Sequence, residues 1–125
     1  MATSFQHAVW FEIPVTDMDR AIAFYEAVFE TELKRQEMGP LTMAWLPSEQ
    51  GQYGASGTLM LAESYVPSHQ GSMVYLNTDD IDATLGRAEA QGGKILNPKM
   101  SIGEFGFVGH FEDSEGNRIG LHNTQ

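Results

Sequence analysis

The chain contains no cysteine. Disulfides and thiolate metal sites are therefore excluded, and a reducing, cytoplasmic setting is the expectation. Basic residues are also scarce. Seven Lys and Arg face seventeen Asp and Glu, a formal net charge of -10. Such a surface repels phosphate backbones and anionic lipid, so neither nucleic acid nor a membrane is an expected partner. A small organic ligand, neutral or cationic, suits this field better. No apolar stretch approaches membrane-spanning length. Residues Met1 to His7 lack the basic region and apolar run of a signal peptide.

What is present is an ordinary globular composition. Of the 125 residues, 42% are hydrophobic and 10% aromatic, enough to bury the core of one domain over 1–125. Val9 to Val15 alternates as a strand should, with Val9, Phe11, Ile13 and Val15 on one face. Trp10, Glu12 and Pro14 take the other, and Pro14 suggests a sheet edge. Asp17 then caps a helix running to about Glu30, with Met18, Ala21, Ile22, Tyr25, Val28 and Phe29 as its buried stripe. "LKRQEMG", "LTMAWLP" and "SGTLMLAE" read as three further strands, separated by Gly39-Pro40 and by the glycine-rich stretch from Gln50 to Gly57.

The pattern restarts near Ser64 to Gly71. "SMVYLNT" reads as a strand, and Asp79 or Asp80 caps a helix that ends at Gly92-Gly93. "GKILNPK", "FGFVGHFE" and "NRIGLH" follow as strands. "VTDMDRA" and "NTDDIDA" mark matching points about sixty residues apart. Each half thus reads strand, helix, three strands: module 1 over about 5–65 and module 2 over about 71–123. A sheet covered on one face only must pair with its copy. The fold class is α+β, two βαβββ modules in pseudo-twofold repeat whose uncovered faces wrap a shared cup.

"IPVTDMDRAIAFYEAVF", "VYLNTDDIDATLGRAEAQGGKIL" and "FEDSEGNRIGL" resemble the vicinal-oxygen-chelate superfamily, which includes glyoxalase I, extradiol dioxygenases, fosfomycin-resistance enzymes and bleomycin-binding proteins. The resemblance implies a cupped mixed sheet with helices outside. It implies a divalent metal in the cup, held by His, Glu or Gln from the first and last strands of each module. It also implies a homodimer. Carried onto this sequence, the ligand positions fall on Trp10, Met73, Gly120 and one of Met60 or Ala62. None is a usual ligand, and Glu63 lies one residue off, on the opposite face. The expectation is a glyoxalase-like protein without that metal or any other cofactor, and with Gly120 leaving open space in the cup.

Strand parity gives the inward set. Trp10 and Glu12 come from the first strand, and Met73, Tyr75 and Asn77 from "SMVYLNT". His110 follows, because Phe111 belongs to the helix layer; Arg118 and His122 come from the last strand. Trp10, Met73, Tyr75, Asn77, Arg118 and Gly120 are expected to line a small-ligand site. Three alternatives stay open. Glu12 could act as general base in a metal-independent enzyme, with His110 or His122 shuttling a proton. The cup could sequester a cationic drug as bleomycin-binding proteins do. The chain could be a metalloenzyme, lyase or dioxygenase, with an unrecognised ligand set, and Glu12, His110 and His122 could form such an alternative metal site.

Overall fold

The computed structural model describes residues 7–49 and 54–124. Module 1 comprises β1 (Trp10–Pro14), α1 (Met18–Phe29), β2 (Lys34–Met38), β3 (Leu41–Trp45) and β4 (Ser56–Leu61). Module 2 comprises β5 (Tyr75–Asn77), α2 (Ile81–Ala90), β6 (Lys94–Ser101), β7 (Phe107–Glu112) and β8 (Arg118–Asn123). The strand orders are β1-β4-β3-β2 and β5-β8-β7-β6, so both halves have the same topology. In each, the first strand runs parallel to the last and the rest are antiparallel. The βαβββ repeat is therefore present as expected, with β1 and its Pro14 at an edge.

The two helix starts are also copies. Asp17 accepts a hydrogen bond from the Arg20 N–H at 3.1 Å, and Asp80 accepts from the Ala83 N–H at 3.0 Å. Such caps contribute about 1 kcal/mol each by satisfying a donor the helix cannot. The helices pack on one another and cover one face of both sheets. Ile13, Phe24, Tyr25, Val28, Leu59, Leu85, Phe111 and Leu121 belong to one continuous buried cluster drawn from both modules.

Three elements differ from the expected ones. β5 is only Tyr75–Asn77, because the backbone before it leaves the ladder and runs beside the cleft described below. β6 extends to Ser101, and its pairing with β7 shifts register twice, on either side of Asn97. Phe105, expected in a strand, sits in a 3-10 turn over Gly103–Phe105. Residues 50–53 of the expected glycine-rich turn lie outside the described residues.

One turn joins the modules. Asp113 to Asn117 connects β7 to β8, yet most of its side-chain bonds reach module 1. Glu115 accepts from the Thr16 N–H at 2.8 Å and the Asp17 N–H at 3.0 Å, and pairs with Arg20 at 2.7 Å. Asp113 accepts from the Tyr25 hydroxyl at 2.6 Å. Asn117 donates to the Pro14 carbonyl at 2.7 Å and to Asp113 at 3.0 Å. Asn117 and the Gly116 turn (φ 96°) fold the segment back so that all three side chains reach out together.

The two carboxylates titrate in opposite senses. Burial works to raise Glu115, but Arg20 and the two backbone donors overcome it and hold the group at about 2. Burial raises Asp113, and the donors around it only partly offset that. Glu115 has no exposed side-chain surface. Its depressed pKa supplies stability above the ordinary value of 4.5, lost as pH falls from there toward 2. Asp113 works the other way, since protonation relieves a buried charge. We expect Glu115→Gln to lose roughly 2–3 kcal/mol of unfolding free energy at neutral pH, the linkage of about 1.4 kcal/mol per pKa unit discounted because its partner Arg20 is half exposed and screened by solvent. Urea denaturation should show the gap narrowing below about the ordinary glutamate pKa. A gap that stays constant with pH would remove the ion from this account.

Candidate ligand-binding cleft

β1 and β5 are each an edge strand of their sheet. Between them lies a cleft of about 1000 Å³ lined from both modules. That volume suits a small organic molecule. Trp10, Glu12, Met73, Tyr75, Asn77, Arg118 and His122 all border it. His110 and Gly120 do not line it. The linker contributes Val66, Ser68 and Gln70, which sequence reading did not select.

On the module 1 wall, Trp10 meets Trp45 edge-on at 4.6 Å between centroids. Ser56 and Thr58 on β4 lie in register with Trp10 and Glu12, and Thr58 also with Trp45. These small side chains let the two indoles meet across β4. Trp45 donates its ring N–H to Gln36 at 3.0 Å. Ser56 Oγ and Thr58 Oγ1 are buried with no hydrogen-bond partner. Glu12 accepts from the Tyr65 hydroxyl of the linker at 2.6 Å. That bond to the carboxylate, then burial, raises the Tyr65 phenol pKa. An aromatic residue in the linker was the available signal for this contact, but no local periodicity places a loop side chain.

The module 2 wall answers why β8 carries glycine between Arg118 and His122 on one face. Tyr75, Gly120 and His110 lie in one row across β5, β8 and β7. A Cβ on Gly120 would collide with the Tyr75 ring, which lies flat across the glycine. The Tyr75 hydroxyl thereby reaches His110 Nε2 at 2.8 Å. The expected empty space is thus filled by the neighbouring ring. His110 Nδ1 lies 2.8 Å from the Asn97 amide, a residue sequence reading passed over because the register shifts of β6 hide its facing. With the Asn97 oxygen turned inward, it accepts from His110 Nδ1 at 2.8 Å and from Arg118 Nη2 at 2.7 Å, while the amide nitrogen donates to the Leu96 carbonyl. This assignment follows from the hydrogen bonds. It places the His110 proton on Nδ1 and leaves Nε2 to accept from Tyr75. Burial and then the Arg118 charge lower the His110 pKa, so the ring is neutral at pH 7.

Glu12, His110 and His122 do not come together. Their partners are Tyr65, Tyr75 and the Phe105 carbonyl, the last at 2.7 Å from His122 Nε2. Among the described residues no three His, Cys, Asp or Glu side chains form a group able to hold a metal ion. The alternative triad is therefore not assembled. The positions the family uses fare no better. Trp10 and Met73 offer no hard donor, Met60 is buried, and Gly120 has no side chain and lies under a ring. This donor set does not fit a divalent metal.

Residues 5–121 match the Glyoxalase/Bleomycin resistance protein/Dioxygenase superfamily. The chain belongs to this superfamily. A glyoxylase-like domain-containing protein from Didymella fabae is 31% identical over 115 residues, covering 85% of this chain and 84% of that one. TnmS3, an antibiotic binding protein from Streptomyces sp. CB03234, superposes with a TM-score of 0.67 at 27% identity, over 99% of this chain and 100% of its own. A glyoxalase I mutant from Zea mays gives a TM-score of 0.69 at 20% identity, covering 93% of this chain, which spans 46% of the maize chain. That last likeness concerns the fold. The superfamily's two-module architecture is thus shared.

The row through Gly120 gives a sharp test. Gly120→Leu must push the Tyr75 ring off β8, costing about 1–3 kcal/mol as an overpacked site does. The expected signature is loss of the Tyr75–His110 bond, seen as a changed His110 titration by NMR. A variant with wild-type stability and an unaltered His110 titration would contradict the stacked row.

Proposed function

We propose that this superfamily member binds a small organic molecule in the cleft between its modules, without the metal centre that the superfamily's enzymes use. The observation that carries this reading is the cleft itself: a volume of about 1000 Å³ between two aromatic-bearing walls, with Glu12 on one and Arg118 on the other. Apolar faces with a few placed polar groups are what small-ligand sites require. A neutral or cationic aromatic compound matches Trp10, Tyr75 and the acidic surface. The full-length likeness to TnmS3, named as an antibiotic binding protein, supports a binding role, and sequestering of such a compound is the form we favour. The whole chain acts as one domain in this reading, because both modules share the cleft and the core.

The site assignment is open to a direct measurement. In a Trp45→Phe background, Trp10 is the remaining tryptophan. Small aromatic compounds that bind should shift or quench its emission, and Tyr75→Ala should weaken them roughly tenfold, the loss of one aromatic contact of about 1.4 kcal/mol. Binders that leave Trp10 emission unchanged would place the site elsewhere.

We further propose that the protein is a homodimer. Met100, Ile102 and Phe105 are exposed beside one another in sequence, at 52%, 37% and 69%, and offer an apolar surface to a second copy. Sedimentation should report twice the 13.8 kDa chain mass at tens of micromolar. A monomer there would overturn the dimer.

A further inference from the structure

The linker between the modules is held over the cleft at two points of different character. Its far anchor belongs to the turn that joins the modules. The Ser68 N–H donates to Asn117 Oδ1 at 3.2 Å, and the Ser68 carbonyl accepts from the Arg118 N–H at 3.3 Å. Its near anchor is a single side-chain bond, from the Tyr65 hydroxyl to Glu12. Between them Val66 is 73% exposed. A second cavity of about 460 Å³ lies against this same stretch, bordered by Tyr65, Val66 and Pro67. Val66 thus borders open volume on both the cleft side and the other side. The segment borders open space on two sides; at its near end the Tyr65 N–H closes a turn onto the Ala62 carbonyl at 3.1 Å, and the phenol bond to Glu12 is the side-chain tie from Tyr65 to β1.

That bond ends on a distinctive group. Among the described residues lining the cleft, Glu12 is the one carboxylate. The guanidinium of Arg118 sits on the opposite module, occupied by Asn97, and so does not neutralise it. Beside Glu12, in register on β4, Thr58 is fully buried and its hydroxyl has no partner. The arrangement with Tyr65 on Glu12 therefore leaves a buried hydroxyl unsatisfied beside a carboxylate whose side-chain donor is an uncharged phenol.

We propose that the linker from Ala62 to Ser68 is a gate on the cleft, latched by the Tyr65–Glu12 hydrogen bond, and that a cationic group on the ligand takes the place of the Tyr65 hydroxyl at Glu12. This deepens the small-molecule reading above and rests on it. A cation at Glu12 replaces a neutral donor with a charged one, and charge-assisted hydrogen bonds to carboxylates are the stronger class. The chemistry selected is a planar organic cation. The gate opens about the Ser68 anchor, into the space lined by Val66 and Pro67.

The test compares proflavine, a planar acridine cation at neutral pH, with acridine, its largely neutral parent. Both are measured by equilibrium dialysis and stopped-flow mixing with the full chain. We expect proflavine to bind about tenfold more tightly than acridine, the gain of one charge-assisted contact. Glu12→Gln should erase that preference, bringing the affinities of the two dyes together. Tyr65→Phe should keep the preference and raise both association rates several-fold, because the latch is gone while the carboxylate remains. Circular dichroism confirms the fold of each variant. Equal affinities for the two dyes, a preference that survives Glu12→Gln, or unchanged association rates in Tyr65→Phe would each overturn the gate. If acridine still perturbs Trp10 in that case, the cleft reading stands without the gate. If neither dye binds, both fail.

Discussion

A carboxylate with no exposed surface sets the geometry of this molecule. Glu115 leaves β7's own module and fills the open end of α1, meeting two backbone N–H groups and the Arg20 guanidinium at once. The N-terminal end of a helix favours a negative charge, and here the charge comes from the other half of the chain. Asp113 and Asn117 extend the same hold to Tyr25 and to the end of β1. A buried charge of this kind is tolerable only because every oxygen is met. The angle between the sheets, and with it the width of the cleft, follows from that set of bonds together with the shared helix-face core.

Asn117 extends the coupling further. Its nitrogen holds Pro14 and Asp113 while its oxygen holds the Ser68 N–H of the linker. One amide therefore ties both modules and one end of the strap over the cleft. The two anchors of that strap differ in kind. Ser68 is fixed through backbone groups and a buried amide, whereas the side chain of half-buried Tyr65 is fixed through its phenol alone. Motion concentrates where the hold is weakest.

The fold was legible because its signals are local. Alternation placed Trp10 and Glu12 opposite Ile13, and the Asp17 and Asp80 caps announced both helices before any packing was considered. The facing of Tyr75, Arg118 and His122 followed from parity alone; the buried Phe111 puts His110 in the row with Gly120 and Tyr75, although it does not line the cleft. The role of Gly120 was not legible. Its neighbour Tyr75 is forty-five positions away, and only the pairing of β5 with β8 shows that the ring needs the missing side chain. Asn97 was hidden by a register shift, which periodicity cannot see. The turn at Asp113 to Asn117 was recognisable as a turn, but its long-range bonds were not, since nothing local says that an acidic side chain is bound for the start of a helix almost a hundred residues earlier.

The outer strands carry a consequence of another kind. β2, the far edge of the first sheet, is exposed throughout and reads Lys34-Arg35-Gln36-Glu37-Met38. β6, the far edge of the second, contains Pro98 and breaks register with its partner on both sides of Asn97. Flat, apolar, evenly paired edges recruit further strands from other chains; charge, proline and bulges prevent it. These two outer edges are therefore poor templates for fibril growth. Growth of either sheet past β2 or β6 is disfavoured, which leaves the edges at β1 and β5, beside the cleft, as the unguarded ones.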